Sequence, residues 1–466
     1  MSASTAVTSA ALFAAAALAL RSYLAARAAG FASRPSIKNW SRNQTFSPSV
    51  VHAPTTLAAL CALVRASPRV KALGSAHAFN AIADPSGHAL VRLDALETNA
   101  PVLAAADAAA GGGPTVTLGA ALTYGALVAF LRGTPFAVAN LASLPHISIG
   151  GAVATSTHGS GARNGGLASA VRALEIVRAD GRVDTLRASD ADGGAALRGA
   201  VVHLGALGIV TRVTLALVPA FDLRQDVYEG VPFARALDDL DAVLGAAYSV
   251  SLFTTWAEPL VFAAWRKSTR AELPPGAAPA EWVGGALAAA PAHPIPGIDA
   301  APCTPQGGVF GSALDRLCHF RLDFTPSVGD ELQSEYAVAR AAAPAALRAL
   351  RDALRPELAA AVFVTEIRAV ARDDDGLSLF AGRETVCIHF TWRPLHAVVA
   401  ALLPRVEAAL APFRARPHWG KLFAADAAAL AAAHGVERVE AFRARRRAAD
   451  PTGKFMNAFL RDAGLE

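Results

Sequence analysis

The sequence contains few cysteines, and they are widely separated. The four are Cys61, Cys303, Cys318 and Cys387, with no C-x-x-C spacing and no paired histidines nearby. This pattern excludes the usual zinc sites and a dithiol redox pair, so no metal is expected. An even number of cysteines does not indicate disulfides here, because a chain of 466 residues can build a large core without them.

Three common catalytic and nucleotide-binding motifs are also missing. No G-x-G-x-x-G follows a strand, and neither Gly420-Lys421 nor Gly453-Lys454 is followed by serine or threonine. These absences exclude the dinucleotide fingerprint and the P-loop. No G-x-S-x-G is present, which excludes the nucleophile elbow of the α/β-hydrolases.

Charge is scarce as well. Charged residues make up 17 % of the chain, five lysines are present, and the net charge of +5 is small for this length. The densest basic run, residues 443–447, has no interleaved aromatics and favours a solvated helix end, so no nucleic-acid partner is expected. A hydrophobic fraction of 53 % indicates a packed soluble enzyme, and the length predicts two domains.

The start of the chain lacks acidic residues. No charged residue occurs in the first twenty positions, none of the residues before Asp84 is acidic, and an apolar run spans residues 6–20. This pattern is typical of a secretory signal or an organelle transit peptide. A membrane anchor through residues 6–20 and an added soluble helix are the alternatives. Asn43-Gln44-Thr45 is a glycosylation sequon if the chain is secreted.

The first segment with chemical content is a loop of small residues around one histidine. Residues 69–73 have strand character, and Gly74-Ser75-Ala76-His77-Ala78 follows directly. A turn of small residues after a strand exposes backbone N–H groups that can hold a pyrophosphate, and Gly74 would allow a close approach. The alternative is that His77 is a hydrogen-bonded turn histidine.

The second segment, residues 143–161, contains no charged side chain. Small residues and hydroxyls dominate it, so its backbone can lie against a flat ligand. Ser148, Thr155 and Thr157 would donate hydrogen bonds to that ligand. This composition suits a large organic cofactor rather than a metal.

Together the two segments resemble the vanillyl-alcohol-oxidase-type flavoproteins with their PCMH-type FAD domain, and within them the sugar-lactone and alditol oxidases. His77 falls where many members carry a histidine bonded to the 8α-methyl of the isoalloxazine, so the resemblance implies FAD bound covalently through His77. Alditol oxidases usually read Gly-Ser-Gly-His-Ser here, whereas this chain has Ala76 and Ala78. The residues matching family FAD contacts are Leu73, Gly74, Ser75, Ala76, His77, Ala78, Ser143, Ser148, Gly151, Thr155, Ser156, Thr157, His158 and Val210.

The periodicity of the chain predicts alternating strands and helices. Helices are expected from Thr55-Thr56 to Arg65 and over residues 124–131, with strands at residues 89–93 and 115–118. Asp180-Gly181 after a strand predicts a hairpin turn. Two alanine-rich helices are expected within residues 331–358, covering one face of a sheet.

The resemblance implies an α+β fold with two domains, the second built on an antiparallel sheet covered by helices. The expected division places a targeting or anchor segment at residues 1–36, the FAD-binding domain at 37–219 and the substrate domain at 220–412. Residues 413–466 would return to the FAD domain and close the active site. A monomer is expected.

The second half carries polar residues at strand spacing. Residues 362–370 form a predicted strand, and a period of two places Glu366 and Arg368 on one face. A structural salt bridge is one interpretation of this pair. The other is a polyol site, since Glu accepts from hydroxyls and Arg donates to them. The resemblance favours the second interpretation, because Ser143, Glu366, Arg368, Thr391 and Lys421 all match substrate contacts of the alditol oxidases.

Lys421 lies in the segment Pro417-His418-Trp419-Gly420-Lys421. We expect it to line the active site, where desolvation would lower its pKa. No histidine is clearly placed as a base, so Arg368 and Lys421 are expected to stabilise the developing negative oxygen.

The function that these observations predict is FAD-dependent oxidation of a primary hydroxyl of an acyclic polyol. Molecular oxygen would be the electron acceptor, with hydrogen peroxide as the product, and Ala142 would sit beside the flavin. An aldonolactone oxidase or dehydrogenase is the close alternative. A carbohydrate-binding protein that kept the fold without redox activity is a third hypothesis.

Overall fold

The computed structural model describes residues 36–106, 112–257, 260–273, 278–324 and 331–466. The targeting segment expected before residue 36 lies outside these residues. The described chain builds α+β architecture, with parallel and antiparallel sheets in its N-terminal region and a large antiparallel sheet in its centre.

The N-terminal region, residues 36–219, contains two main sheets. A three-stranded parallel sheet has the order β3-β5-β4, and a five-stranded antiparallel sheet has the order β10-β9-β11-β7-β6. The helices are α1 Leu57–Ala66, α2 Tyr124–Leu131, α3 Ile149–Ala154 and α4 Ala195–Ala200. The strands are β1 Ile37–Lys38, β2 Thr45–Phe46, β3 Val50–His52, β4 Val70–Leu73, β5 Ala89–Arg92, β6 Val102–Ala104, β7 Thr115–Gly119, β8 Phe136–Ala137, β9 Val171–Val177, β10 Val183–Arg187, β11 Ile209–Ala216 and β12 Val218–Pro219.

Local sequence signals account for several of these elements. The side chain of Thr56 accepts a hydrogen bond from the Ala59 amide and caps α1, and Thr123 caps α2 in the same way. Gly181 takes a φ of +80° in the turn between β9 and β10, a conformation that glycine adopts at no steric cost. The two helices predicted for this region, α1 and α2, and the hairpin are therefore confirmed.

The central region, residues 220–412, is dominated by a ten-stranded antiparallel sheet. Its order is β16-β17-β13-β15-β14-β20-β21-β19-β22, with β18 paired to β13. Its helices are α5 Phe233–Asp238, α6 Leu240–Gly245, α7 Ala343–Ala361 and α8 His396–Leu410. The strands are β13 Asp222–Pro232, β14 Ser249–Thr254, β15 Leu260–Ser268, β16 Glu281–Trp282, β17 Gly285–Leu287, β18 Gly311–Ser312, β19 Leu332–Ala339, β20 Val362–Val370 and β21 Thr385–Trp392. The edge strand β22, Arg416–Pro417, comes from the C-terminal segment.

The two faces of this sheet have different partners. Alternate residues such as Tyr336, Ile367 and Phe390 pack with α7 and α8 in one buried cluster. The residues between them face the N-terminal region, as the period of two requires. The segment His396–Phe413 is apolar enough to cross a membrane by length and composition alone. In this fold it contributes Val399 and Val406 to the core.

The expectation of two helices within residues 331–358 is wrong. The first half of that stretch is β19, and a single helix, α7, follows it from Ala343. Residues of β19 alternate, with Leu332, Tyr336 and Val338 in the core and Gln333 and Glu335 on the other face. The alanine content of the stretch concealed this period of two.

The C-terminal segment, residues 413–466, returns to the N-terminal region. It contains α9 Ala427–His434, α10 Val436–Ala449 and α11 Ala458–Asp462. Lys454 donates to the carbonyl of Val64, and the Val70 amide donates back to the carbonyl of Lys454. These contacts attach the end of the chain to α1 and β4.

Candidate active site

A cavity of about 720 Å³ lies between the N-terminal region and the large sheet. One wall consists of the loop after β4 and the segment 142–158. The opposite wall carries polar side chains of β19, β20 and β21. The two uncharged segments and the polar strands of the second half therefore meet at one site.

The loop after β4 is locked to the segment that precedes α3. The Ser75 amide donates to Oγ of Ser148 at 3.2 Å, and the Ser148 amide donates to Oγ of Ser75 at 3.0 Å. A Cβ added at Gly74 would lie 2.1 Å from Oγ of Ser148, so this position has no room for a side chain. The two segments thus form one wall of the cavity with a closely fitted backbone.

Ala76 occupies a strained position in this loop. Its φ is +56°, in the left-handed region that L-residues other than glycine rarely adopt. The glycine that alditol oxidases usually carry here fits this backbone without strain. The departure of this sequence from the family pattern therefore has a local energetic cost.

His77 is held between aromatic and polar neighbours. The Trp40 ring stacks on the imidazole with a centroid distance of 5.3 Å, and the Trp40 amide donates to the carbonyl of Ala76. Burial lowers the pKa of His77 to about 4. Its ring is therefore unprotonated at neutral pH, as a nucleophilic histidine requires.

The sequon asparagine has a structural role in this loop. The side-chain amide of Asn43 donates to the carbonyl of Phe79 at 2.8 Å, and its oxygen accepts from the Asn39 amide at 2.7 Å. Glycosylation would replace one of the two hydrogens on the nitrogen that makes the first of these bonds and would add a bulky group at this packed loop. The geometry favours a folding role for Asn43 over glycan attachment.

Thirteen of the fourteen residues matched to family FAD contacts line the cavity. Ser156 differs, because its hydroxyl accepts from the Leu379 amide at 3.1 Å and the residue is fully buried. The thirteen are Leu73, Gly74, Ser75, Ala76, His77, Ala78, Ser143, Ser148, Gly151, Thr155, Thr157, His158 and Val210.

An unpaired donor also indicates a polar ligand in the cavity. His203 lines the cavity and is 5 % exposed. Its Nδ1 accepts from the Gly205 amide at 3.0 Å, so its hydrogen is on Nε2, which has no partner among the described residues. A buried donor without a partner is costly. The residues present therefore fit a large ligand with many acceptors, such as FAD.

The polar wall is organised by the register of the sheet. Glu366 on β20, His389 on β21 and Glu335 on β19 lie side by side in one row. Thr391 lies two residues from His389 and faces the same cavity. Arg368 lies two residues beyond Glu366, so that the period of two brings all five side chains to one surface.

Arg368 joins both walls of the cavity. It donates to Oγ of Ser143 at 3.2 Å and lies 3.4 Å from Glu366. Glu366 and Arg368 thus form an ion pair, and both also line the cavity. Burial alone would lower the pKa of Arg368, but Glu366 and Glu335 raise it, so the guanidinium remains charged.

Glu366 is oriented by a histidine from a loop. His319 Nε2 lies 2.9 Å from a carboxylate oxygen of Glu366, and the His319 amide donates to the carbonyl of Ser143. Although burial would raise the pKa of Glu366, Arg368 and His319 hold it far below its usual value. Glu366 is therefore an ionised acceptor.

Lys421 and His389 form a second charged pair. Lys421 Nζ donates to Glu335 at 2.6 Å and to Nδ1 of His389. Burial lowers the pKa of Lys421, as the sequence predicted, and Glu335 opposes this shift. Burial and the neighbouring Lys421 lower the pKa of His389 to about 4. The pair thus consists of a desolvated ammonium and an uncharged imidazole.

Sequence reasoning missed three of these residues. His389 could have been found, because His389-Phe390-Thr391-Trp392 has strand character and a period of two places His389 on the face of Thr391. Glu335 was concealed by the wrong helix assignment of β19. His319 lies in a loop with no periodic signal, and the fold alone brings it to Glu366.

Three buried groups near this wall have the composition of a metal site. His158, Glu335 and His418 have ligand atoms within 4.8 Å of one another, within the part of the chain that the structure describes. Both oxygens of Glu335 already contact cations, Arg368 on one side and Lys421 on the other. Two neighbouring positive charges oppose a divalent ion, so the arrangement is that of a buried ion-pair network.

Two family models match the chain. Residues 48–187 match the FAD binding domain, and residues 330–463 match the D-arabinono-1,4-lactone oxidase family. The first match covers the cofactor-binding loops, and the second covers Glu335, Glu366, Arg368, Thr391 and Lys421.

Curated relatives extend over almost the whole chain. The alditol oxidase of Streptomyces sp. is 44 % identical over 91 % of this chain and 98 % of its own length. The L-gulono-1,4-lactone dehydrogenase of Mycobacterium tuberculosis is 28 % identical over 92 % of this chain and 98 % of its own.

A solved structure shares the fold. The crystal structure of cholesterol oxidase from B. sterolicum aligns with a TM-score of 0.74 at 15 % identity, over 92 % of this chain and 96 % of its own. At this identity the likeness establishes the fold alone, which is the expected α+β, two-domain FAD-binding architecture.

Proposed function

Because the chain belongs to the alditol oxidase family of FAD-binding oxidoreductases, we propose that it oxidises a primary hydroxyl of an acyclic polyol of the xylitol or sorbitol type to the aldose. The observation that carries this proposal is the polar wall opposite the cofactor-binding loops. Ionised Glu366 accepts from hydroxyl groups, and Arg368, Lys421 and Thr391 donate to them.

Bound FAD would accept a hydride from the substrate carbon and pass its electrons to molecular oxygen, which yields hydrogen peroxide. The protein's residues hold the polyol so that its terminal carbon faces the cofactor. Ser143 and Arg368 contact each other across the two walls at 3.2 Å, so both present polar atoms to the cavity side by side.

The proton of the reacting hydroxyl ends in the hydrogen peroxide, and two buried cations of this site favour its departure. Lys421 and Arg368 stabilise negative charge on the substrate oxygen, since both are buried cations. The uncharged His389 accepts from Lys421 through Nδ1 and so orients the ammonium, and Glu335 is the counter-ion of Lys421. Thr391 accepts from Nε2 of His389 at 3.1 Å, which fixes the ring.

We propose that His77 carries the covalent bond to FAD. Its position in the cavity, its stacking on Trp40 and its lowered pKa support this role. Acid precipitation should leave yellow flavin in the protein pellet of the wild type. His77→Ala should release the flavin to the supernatant, and flavin that remains attached in the variant would contradict the assignment.

An aldonolactone substrate is the second candidate. It is supported by the match of residues 330–463 to the D-arabinono-1,4-lactone oxidase family. Steady-state oxidation of xylitol and sorbitol should be compared with that of gulono- and galactonolactone, with peroxide measured in each case. Oxidation of polyols with peroxide release is the expected result, and activity on lactones alone would overturn the polyol assignment.

A further inference from the structure

Glu335 is at the centre of the buried charges in the cavity wall. One oxygen lies 3.1 Å from His158 Nε2 and 3.1 Å from Arg368 Nη2. The other lies 2.6 Å from Lys421 Nζ and 3.4 Å from His389 Nδ1. The side chain is fully buried, so each of these contacts is made away from water.

The four partners of Glu335 come from different parts of the fold. His158 belongs to the cofactor-binding segment of the N-terminal region, Arg368 to β20 and His389 to β21. Lys421 follows β22. One carboxylate therefore joins the wall on the cofactor side to β20, to β21 and to the segment that follows β22.

The electrostatic setting of Glu335 includes all ionisable groups packed around it. Burial alone would raise its pKa, but Lys421, His158 and Arg368 hold the pKa of Glu335 well below its usual value. His418 and Cys387 face the same network, and Glu366 is the other acid in it among the described residues. Glu335 thus carries a full negative charge between two cations.

We propose that Glu335 is a positioning residue for polyol oxidation, which holds Arg368 and Lys421 at the substrate and keeps Lys421 protonated through its own charge. The inference rests on the proposed function and goes beyond it, because Glu335 need not touch the substrate. It assigns to Glu335 a geometric effect and an electrostatic effect, and these can be separated by substitution.

The electrostatic effect has a defined sign. Glu335 raises the pKa of Lys421, while burial and Arg368 lower it. Replacing the carboxylate by a neutral amide removes the raising influence, so Lys421 loses its proton at lower pH. A charged group within hydrogen-bond distance commonly shifts a pKa by about 1–3 units. The alkaline limb of the kcat/KM profile, which reports loss of the Lys421 proton, should therefore move toward lower pH.

The test compares Glu335→Gln with Glu335→Asp in the flavin-loaded enzyme. For Glu335→Gln we expect kcat/KM for xylitol at pH 7 to fall roughly 100-fold, since misplaced groups commonly cost this much, and the alkaline limb to move down by about 1 unit or more. Glu335→Asp retains the charge and shortens the reach. It should lower kcat/KM while leaving the alkaline limb near its wild-type pH.

Glu407→Gln is the matched control. Glu407 is a half-buried acid that accepts from Tyr336, the neighbour of Glu335 on the opposite face of β19. This variant should keep wild-type kcat/KM and pH limbs. The thermal midpoint and flavin content of each variant show whether it folds.

Three results would overturn the proposal. The first is a folded Glu335→Gln enzyme with an unshifted alkaline limb, and the second is one with unchanged kcat/KM. The third is an equal shift of the limb in Glu335→Asp and Glu335→Gln.

A wild type that oxidises no polyol would instead contradict the proposed function. In that case the pH dependence of the visible flavin spectrum, compared between wild type and Glu335→Gln, still reports whether Glu335 controls the charge of the wall.

Discussion

At the scale of the residue, the strained backbone of Ala76 has a measurable cost. A left-handed φ costs a non-glycine residue roughly 1–2 kcal/mol in the folded state, and glycine would remove this cost. Glycine also gives the unfolded chain more conformational freedom, which lowers the free energy of unfolding by about 0.4–1 kcal/mol. Ala76→Gly should therefore raise the free energy of unfolding by up to ~1 kcal/mol, as measured by denaturant or thermal unfolding.

The same loop supplies a control for Ala76→Gly. Ala78 is not among the described residues with positive φ. Glycine at Ala78 should therefore lower the free energy of unfolding, through the greater freedom of the unfolded chain and the loss of a methyl group that packs on the core. Equal destabilisation by both glycine substitutions would contradict the assignment of strain to Ala76.

The charge of Lys421 is a second residue-scale feature with a direct test. Lys421→Met keeps the length of the side chain and removes the cation that stabilises the substrate oxygen. Loss of one such donor typically lowers the rate by about 10²–10³-fold, and we expect kcat/KM for xylitol to fall within that range.

Lys38→Met is the control for this change, because Lys38 is exposed on β1. It should leave kcat/KM unchanged. Retention of more than a tenth of wild-type kcat/KM in a folded Lys421→Met enzyme would show that Arg368 alone stabilises the substrate oxygen.

At the scale of the element, a helix or strand could be predicted from the sequence where the residues that define it lie within or next to it. Helices α1 and α2 could be placed because a threonine cap precedes each one and supplies the first hydrogen bond. Strand β20 could be placed because β-branched residues alternate with Glu366 and Arg368. These signals lie within a few residues of the element that they define.

Strand β19 shows where local signals fail. Its sequence, LQSEYAVA, is followed closely by the alanine-rich α7, and the composition of the whole stretch led to the prediction of two helices. Its strand conformation is set by pairing with β21 on one side and β22 on the other, which the sequence does not reveal locally. Because Glu335 lies on β19, the error in the fold also removed a residue from the predicted site.

The beginning of α11 connects the end of the chain to the cofactor-binding loop. The side-chain amide of Asn457 lies within 3.1 Å of the carbonyls of Ala81, Ile82 and Asp84, and its oxygen caps the helix at the Leu460 amide. Asn457→Ala should lower the free energy of unfolding by about 2–4 kcal/mol, since it removes both a cap and buried hydrogen bonds.

Asn457→Asp separates the two contributions. An aspartate keeps the capping oxygen but cannot donate to the three carbonyls. It should be destabilised by loss of the donations while α11 remains capped. An Asn457→Asp protein as stable as the wild type, in urea unfolding at neutral pH, would show that the carbonyl contacts contribute little.

At the scale of the whole molecule, polar groups hold the N-terminal region against the large sheet. His158 contacts Glu335, Oγ of Ser160 lies 2.5 Å from Oγ of Ser249, and the Gly161 amide donates to the carbonyl of Ala369. All three contacts lie in one stretch that continues from the cofactor-binding segment. The stretch that continues from the cofactor-binding segment therefore also joins the N-terminal region to the large sheet. A change in the cofactor-binding segment should consequently affect the contact between these two parts of the fold.

Buried histidines make this assembly sensitive to acid. Burial lowers the pKa of His77, His319 and His389 to about 4. Their unfolded-state pKa is near 6.5, so between pH 6.5 and 4 the unfolded chain binds protons that the folded chain excludes. Stability should therefore fall as the pH drops through this window. The other histidines with lowered pKa are His158, His203, His293, His418 and His434.

Two buried acids act in the opposite direction, as does the half-buried Glu407, whose pKa burial also raises. Burial raises the pKa of Asp373 to about 6 and that of Asp375 to about 7, so these groups keep protons in the folded state that the unfolded chain releases. They offset part of the histidine contribution. Each net proton changes the free energy of unfolding by about 1.4 kcal/mol per pH unit, and the histidines outnumber these acids.

Unfolding at pH 5.5 should consequently take up several protons and occur at a much lower temperature than at pH 7.5. Thermal midpoints measured across this range, together with the slope of the unfolding free energy against pH, give the number of protons directly. His203→Phe should reduce that number by about one, because it removes one buried imidazole. A midpoint that stays constant from pH 7.5 to 5 would show that the buried histidines titrate alike in the folded and unfolded chain, and that burial in the cavity wall does not control their charge.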